Sequence, residues 1–317
     1  FAKNPNIGAI LIITADPPKG HYIKSALDNS KKPVELLTLD ECNHDAIKLL
    51  DLGLRIGAKL TKHISNYRRE KVPFSQLTIG LECGRSDPSS GLVANPLMGL
   101  IADRLIDLGG SAIIGETIEW LGAEHLLQKR AQSNEVKTKI SNAVDFQRNL
   151  AKSKGIDLLG NNPGHQNIQA GLTTIEEKSI GNVAKSGSKK IENVIDWGNK
   201  PKKKGMFLMH APAYAPESLS GFSSASCQMI LFSTGVGNSF NNHISPTIKY
   251  SANPYACSQL NEQLDFKCSD VFVGEKLIEK SLGEFWELIV KICSGSLTWG
   301  EILNDSSEVF SRIDRSL

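Results

Sequence analysis

A thiol, several carboxylates, an arginine and a histidine lie within residues 81–125 of the 317-residue chain. Cys83, Arg85 and Asp87 follow one strand-like apolar run, and Glu116 follows the next run along the chain. A thiol or carboxylate in such a turn can bind a metal, and a carboxylate can also act as a general base. Because parallel strands end at one edge of a sheet, this spacing predicts a small-molecule site at that edge.

These side chains also have structural interpretations, which the spacing leaves open. A cysteine at the end of a buried strand is commonly an inert thiol. The helix predicted over residues 118–131 places His125 on the same apolar face as Ile118. At about 100° per residue, Glu119 lies roughly 120° away from His125 around that helix. We therefore expect Glu116, which precedes the helix, to be the better-placed carboxylate.

Later polar turns extend the candidate site. Residues 161–167 form a polar loop, and Thr173 and Thr174 lie at a predicted helix start, where free N–H groups favour an anion. Thr174 and Glu177 also have capping-box spacing, which explains them without a substrate. Residues 233–238 form a glycine-rich turn that departs from GxGxxG, so it is only a weak indication of nucleotide binding.

Continuous apolar runs alternate with helical patterns, which predicts a parallel α/β sheet with right-handed crossovers. The strand-like runs are residues 7–14, 34–39, 76–81, 111–114, 206–209, 228–232 and 247–250. The helical patterns are residues 41–63, 96–108, 118–131, 135–152, 175–185, 216–225 and 275–292.

Composition excludes several classes of protein. The formal net charge of +2 gives no indication of nucleic acid or an anionic membrane as a partner. The six cysteines contain no CxxC pair, and no apolar run reaches the roughly 18 residues of a membrane helix. We expect a cytoplasmic protein with free thiols. Because Phe1 lies only a few residues before an apolar strand, we also expect upstream sequence to be missing.

Four ordered motifs resemble the C-terminal part of altronate and galactarate dehydratases, and of the related sulfolactate sulfo-lyase large subunit. Residues 81–99 read LECGRSDPSSGLVANPLMG, residues 116–125 read ETIEWLGAEH and residues 170–181 read AGLTTIEEKSIG. The fourth motif is spread over residues 232–253, from FSTGVG to the asparagine of the SAN segment. Arg85 stands where the family pattern CGGSD has its second glycine.

The resemblance implies a lyase that removes water from a sugar acid or related hydroxy acid, with Fe²⁺ or Mn²⁺ as divalent metal. It implies a Rossmann-like catalytic domain with flanking helices over residues 73–317, preceded by the remnant of a smaller, dimerisation-type α/β domain over residues 1–72. A homodimer and a small N-terminal-type domain or subunit are the expected partners. The alternatives are a sulfo-lyase that releases sulfite, a nucleotide-binding enzyme and a non-catalytic binding or assembly subunit.

Under this hypothesis the site must stabilise a carbanion next to a carboxylate. The predicted metal ligands are Cys83, Asp87, Glu116 and His125. Proton transfer is assigned to His125, Lys178 and Glu116. Substrate binding is assigned to Arg85, Ser86, Asn95, Asn167, Thr173, Thr174, Gly235 and Asn238.

Overall fold

The computed structural model describes residues 1–310, which divide into two compact units, Phe1–Lys71 and the chain from Val72 onward. The first unit contains β1 Ile10–Thr14, α1 Pro17–Ser25, β2 Val34–Thr38 and α2 Ala46–Ile64. Its two strands pair in parallel. No helix among the described residues is both long enough and apolar enough to cross a bilayer.

Helix α2 begins later than the sequence pattern predicted. Its first residue is Ala46 rather than residue 41, because the Asp45 carboxylate accepts the backbone N–H groups of Ile47 and Lys48 and caps the helix there. Helix α1 was not predicted, since its apolar residues show little helical periodicity.

The second unit is built on a parallel sheet with the strand order β5-β6-β4-β3-β7-β8-β9. Its strands are β3 Thr78–Gly84, β4 Ser111–Ile114, β5 Ile191–Asp196, β6 Gly205–His210, β7 Met229–Thr234, β8 Thr247–Ser251 and β9 Phe266–Lys267. The parallel sheet and the additional small sheet of the first unit confirm the predicted α/β class.

Helices connect and flank these strands. They are α3 Asn95–Asp107, α4 Glu124–Lys129, α5 Asn134–Ser153, α6 His165–Gln169, α7 Ile175–Val183, α8 Ala215–Ser224, α9 Pro254–Gln259, α10 Ser269–Phe272, α11 Ile278–Cys293 and α12 Trp299–Ile302. The sheet core contains almost wholly buried strands, and Tyr250 on β8 donates its hydroxyl to Ala94 O over 2.8 Å.

The strand order creates a topological switch point beside the central strand. The chain runs from β3 through β4 to the edge strand β5 and to β6, and then crosses back to β7 on the other side of β3. Ligands of such sheets bind where the strand order reverses, outside the carboxyl ends of the strands. Cys83 pairs with Ser233 at this point, close to the ends of β3 and β7.

Two strands were missed by the sequence analysis because neither has the pattern of a buried strand. The edge strand β5 reads IENVID, and most of its residues are half-buried. Strand β9 has only two residues. Continuous apolar runs identify strands that are buried on both faces and not strands at the edge of the sheet.

Candidate active site

A fully buried lysine at the carboxyl edge of β3 contacts two carboxylates and a thiol. Lys185 Nζ lies 2.5 Å from Glu119 Oε2 and 2.9 Å from Glu82 Oε1. It lies 3.2 Å from Cys83 Sγ, and Asn182 Oδ1 also lies 3.2 Å from that sulfur. We call Glu82, Cys83, Glu119, Asn182 and Lys185 the buried cluster.

Three segments of the chain bring the buried cluster together. The end of β3 supplies Glu82 and Cys83, and a 3₁₀ turn after β4, Thr117–Trp120, supplies Glu119. The third segment supplies Asn182 from helix α7 and Lys185 from the 3₁₀ turn Ala184–Ser186. Gly99 on α3 makes room for that turn, because a Cβ there would lie 2.4 Å from Ala184 O.

Charge compensation holds one ion pair inside the buried cluster. Burial opposes ionisation of Glu119, but the ammonium groups of Lys185 and Lys178 outweigh it and lower the pKa of Glu119. Burial also opposes the ammonium form of Lys185, but the surrounding acidic groups, with Cys83 first and Glu119 next, raise its pKa. Both directions favour an ionised Glu119 paired with a protonated Lys185.

The pKa values of the other acidic members of the cluster are shifted upward, toward their neutral forms. Burial, with Glu119 adding to it, raises the pKa of the Cys83 thiol to about 12. Burial also raises the pKa of Glu82, although Lys185 opposes the shift. The cluster therefore holds a neutral thiol at neutral pH, and of its two carboxylates Glu119 is the one whose ionised form is favoured.

Glu116 lies beside this cluster in strained backbone. Its φ of 48° is left-handed, a conformation that costs a non-glycine residue about 1–3 kcal/mol and that clusters at functional sites. Its side chain is buried, and burial followed by the charge of Glu119 raises the pKa of Glu116 well above its usual range. Lys178 Nζ lies 3.7 Å from Glu119 Oε1 and donates to Asn162 Oδ1. Two carboxyl groups three residues apart are thus shifted in opposite directions.

The helix predicted over residues 118–131 is wrong in its first half. Gly122 adopts a φ of 86°, and regular helix begins only with α4. Because the chain breaks there, Glu119 turns into the buried cluster, whereas His125 is exposed on α4. The prediction that His125 lies on an apolar face is therefore wrong, and the structure does not bring His125 into the cluster.

Asp87, a predicted metal ligand, already binds protein groups with both carboxylate oxygens. Its Oδ1 accepts from Ser89 Oγ at 2.7 Å and from Ser90 N at 3.0 Å. Its Oδ2 accepts from Asn253 Nδ2 at 2.6 Å. Asp87 therefore ties the turn after β3 to the turn after β8. A Cβ on Gly235 would lie 2.6 Å from Asp87 Cγ, which explains a glycine at that position.

Among the predicted substrate-binding residues, Arg85 and Ser86 have the side chains best placed to contact a ligand. Arg85 is exposed and donates from Nε to Gln166 Oε1 over 2.9 Å and from Nη1 to Gly237 O over 3.4 Å. It thus bridges the polar loop and the glycine-rich turn. Asn167 Nδ2 donates to Ser86 O over 2.7 Å. The Ser86 hydroxyl is buried without a hydrogen-bond partner among the described residues.

The side chains of Asn95 and Asn238 make hydrogen bonds to other groups of the protein. Asn95 is fully buried, donates from Nδ2 to Gly181 O over 3.0 Å and accepts from Ser233 Oγ at 2.7 Å. Asn238 Oδ1 accepts from Phe240 N at 2.9 Å. These contacts fix the positions of the surrounding turns.

Thr173 and Thr174 are exposed at the start of α7. Thr174 Oγ1 accepts from Glu177 N at 3.1 Å, and Glu177 Oε2 accepts from Thr173 N at 2.8 Å. Helix capping therefore accounts for both threonines without a substrate.

Sequence reasoning missed Glu82, Glu119, Asn182 and Lys185. Lys185 lies seven residues after Lys178 in the segment predicted as a helix, a spacing that places both lysines on one face. That spacing is the signal by which Lys185 could have been found.

One group among residues 1–310 has the geometry to hold a metal ion. Glu82, Cys83 and Glu119 each offer a ligand atom within 4.8 Å of the others. Oxygen and sulfur donors of this kind suit several divalent metals. However, all three residues contact the Lys185 ammonium. With Lys185 in place, the group does not fit a divalent ion, because a cation already uses these donors.

The second unit is a doubly wound parallel sheet with ionisable side chains buried at the carboxyl end of its central strand. This arrangement is typical of α/β enzymes. The family model described as D-galactarate/altronate dehydratase, C-terminal, matches residues 74–315. The chain belongs to this family, which confirms the resemblance of its four motifs.

Curated relatives cover nearly the whole chain. The (2R)-sulfolactate sulfo-lyase subunit beta of Chromohalobacter salexigens is 30% identical over 99% of the chain and 80% of its own length. The altronate dehydratase of Bacillus subtilis is 32% identical over 97% of the chain and 61% of its own length. The galactarate dehydratase (L-threo-forming) of Escherichia coli is 29% identical over 98% of the chain and again 61% of its own length. The chain thus spans less than two thirds of these dehydratases.

Proposed function

We propose that the chain is the catalytic part of a lyase that eliminates water from a sugar acid or a related hydroxy acid. The observation that carries the proposal is the pair Glu116 and Glu119, which share one buried site and have opposite pKa shifts. Such a pair supplies an acid and a base at the same pH. Family membership supports the reaction class, since the relatives are named as dehydratases or as a sulfo-lyase.

In this proposal the ionised Glu119 removes the proton from the carbon next to the substrate carboxylate. The electron pair of that C–H bond moves toward the carboxylate and gives an enediolate-like carbanion. Lys178, whose side chain is 11% exposed, supplies positive charge where this anion develops. A positioned base of this kind accelerates the reaction about 10²–10⁴-fold.

Glu116 supplies the matching acid. Burial and the charge of Glu119 raise the pKa of its carboxyl well above the usual range, which favours the protonated form that can donate a proton to the departing hydroxyl group. The electron pair of the carbanion then forms a C=C bond as the C–O bond to the neighbouring carbon breaks, and the hydroxyl leaves with the Glu116 proton as water. The product is an enol, because the α carbon keeps its own hydroxyl, and it tautomerises to a keto acid. After the reaction Glu119 carries the substrate proton and Glu116 is ionised, so one proton must move from Glu119 to Glu116 before the next turnover.

Substrate recognition is assigned mainly to Arg85 and Ser86. The Arg85 guanidinium can bind a carboxylate or another oxyanion, and the buried Ser86 hydroxyl can bind a substrate oxygen. The internal contacts of the other predicted residues indicate that they shape the turns around the substrate. His125 has no part in this scheme, because it lies outside the buried cluster.

Fe²⁺ or Mn²⁺ is the cofactor that the family resemblance implies. A divalent ion would act as a Lewis acid toward the substrate carboxylate, but Glu82, Cys83 and Glu119 do not fit one while the Lys185 ammonium contacts all three. Because Lys185 binds the same groups, none of the steps above depends on such an ion. Its presence in the active enzyme remains a prediction.

Sulfolactate sulfo-lyase activity is the second candidate, and the coverage of the relatives favours it. The chain covers 80% of the sulfo-lyase subunit but 61% of the dehydratases. The Arg85 guanidinium could bind a sulfonate as well as a carboxylate, so it is compatible with both candidates. Since the sulfo-lyase relative is a subunit beta, we propose that the present chain acts with a small partner subunit or domain, in a homodimer formed through residues 1–72.

The test is to supply the complete protein, with its partner where one exists, with altronate, galactarate and sulfolactate. Keto acid from a sugar acid supports the dehydratase, whereas sulfite supports the sulfo-lyase. Glu116→Gln is the matched variant, because it keeps the shape of the side chain and removes the acid. Full activity of Glu116→Gln on a hydroxy acid would contradict the proposed mechanism.

A further inference from the structure

We propose that the Lys185 ammonium is the resident cation of the buried cluster and occupies the position that a divalent metal would otherwise take. The proposal concerns the same site as the proposed function and rests on it for the role of the cluster. Its test reads metal binding rather than turnover. An inactive protein therefore leaves the test valid.

The donors of Lys185 match the acceptors that surround it. An ammonium group carries three N–H donors. The three nearest acceptors come from Glu119, Glu82 and Cys83, at 2.5, 2.9 and 3.2 Å from Nζ. They belong to the same three residues whose ligand atoms converge within 4.8 Å. A metal ion would compete for these groups and would also meet the like charge of the ammonium at short range.

Hydrogen bonds hold the backbone of the turn that carries Lys185. A shift of this turn would break them, so the side chain does not readily leave the cluster in that way. Arg130 Nη1 donates to Ser186 O over 3.1 Å and to Gly187 O over 2.6 Å. Asp103 accepts from the N–H of Ser188 at 2.9 Å. Displacement of the ammonium by a metal would therefore require this turn to rearrange or the side chain to abandon three partners in the protein interior.

The geometry implies that removal of the ammonium creates a metal site. Lys185→Met keeps an unbranched side chain and removes the charge, which leaves two carboxylates and a thiol around a vacant cation position. Lys189→Met is the matched control, because Lys189 follows closely in the chain but pairs with Asp107 at the surface. Co²⁺ is the probe, since thiolate ligation to cobalt gives a charge-transfer band in the near ultraviolet.

The full protein is reduced, stripped of metal with chelator and dialysed against Co²⁺, and bound metal is counted by mass spectrometry. We expect Lys185→Met to gain about one equivalent of Co²⁺ with a thiolate band, and wild type and Lys189→Met to gain neither. Loss of the band in Lys185→Met with Cys83→Ala would assign it to Cys83. No gain of metal by a folded Lys185→Met would overturn the proposal.

A second measurement covers the case in which Lys185→Met does not fold. Wild type and Cys83→Ala are compared for metal content as purified and after dialysis against Fe²⁺, Mn²⁺ and Co²⁺ in turn. Equal metal content in the two proteins supports Lys185 as the resident cation. A wild-type metal that falls by about one equivalent in Cys83→Ala would overturn it, since a cluster that holds a metal depends on the sulfur ligand.

Discussion

Lys185 donates to Glu119 across 2.5 Å at a point where the exposed fractions of the two side chains are 0% and 2%. A buried ion pair of this kind costs much desolvation free energy, and removal of one partner leaves an uncompensated charge. The pair also bears on the carboxyl groups around it, since the pKa of Glu119 is lowered by Lys185 and the charge of Glu119 in turn raises the pKa of Glu116. The catalytic proposal and the stability of the second unit therefore depend on the same contact.

Removal of the Lys185 charge should destabilise the protein strongly. We expect Lys185→Met to lower the free energy of unfolding by about 3–5 kcal/mol, because the ionised Glu119 loses its buried partner. Adding Glu119→Gln should recover much of this loss. Urea denaturation followed by circular dichroism measures both. A loss no larger than that of the surface control Lys189→Met would show that Glu119 does not depend on Lys185.

Glu116 and Glu119 should give opposite pH dependences of stability. The raised pKa of Glu116 contributes stability that is present below the carboxyl's ordinary pKa and is lost as pH rises through the raised native value. The lowered pKa of Glu119 contributes stability that is present above the ordinary pKa and is lost as pH falls through the lowered native value. The Tm of Glu116→Gln should therefore rise relative to that of wild type as pH rises. The Tm of Glu119→Gln should be lower than that of wild type at neutral pH. Parallel Tm curves for the three proteins would contradict these assignments.

Sequence patterns identified the central sheet because strands buried on both faces are continuous apolar runs, as in β7. They also placed a site at the end of β3. They failed for Glu119 because helical periodicity assumes an unbroken helix, and the left-handed Gly122 breaks it. Lys185 was missed because a lysine in a helical pattern usually faces solvent. Whether a charged residue is buried depends on partners that are distant in sequence, here residues 82 and 119.

Glu119 and Glu116 should also control the pH dependence of the elimination. The proposed base Glu119 must be ionised and the proposed acid Glu116 protonated, so kcat/KM should fall at low pH through Glu119 and at high pH through Glu116. Glu116→Gln should lower kcat by about 10²–10⁴ for loss of hydroxide and less for loss of sulfite, which is a better leaving group. It should also remove the decline at high pH. A pH profile that keeps this decline in Glu116→Gln would assign the acid to another residue.

Cys83 should be inert toward alkylation despite its place in the cluster. Its pKa of about 12 keeps it a thiol at neutral pH, and only 1% of its surface is exposed. Cys293 on α11 is exposed, so iodoacetamide should label Cys293 at least about 100-fold faster than Cys83. Peptide mass spectrometry at several times of reaction measures both rates, and Cys293→Ser is the control that should abolish the fast label. Equal rates at the two sites would mean that the native cluster opens to solvent.

Arg85 allows backbone strain and ligand binding to be separated. Its φ of 54° is left-handed, so glycine at this position relieves strain while alanine retains it. Both substitutions remove the contacts with Gln166 and Gly237. Arg85→Gly should therefore be more stable than Arg85→Ala by about 1 kcal/mol in urea denaturation.

Kinetics then tests whether the guanidinium of Arg85 binds the substrate. Both variants should raise KM for the acid substrate by roughly tenfold, because each loses the same charge-assisted contact. The two KM values should be alike even though the two stabilities differ. If KM rose only in the less stable alanine variant, the effect would come from distortion of the turn after β3, and Arg85 would have a structural role rather than a role in recognition.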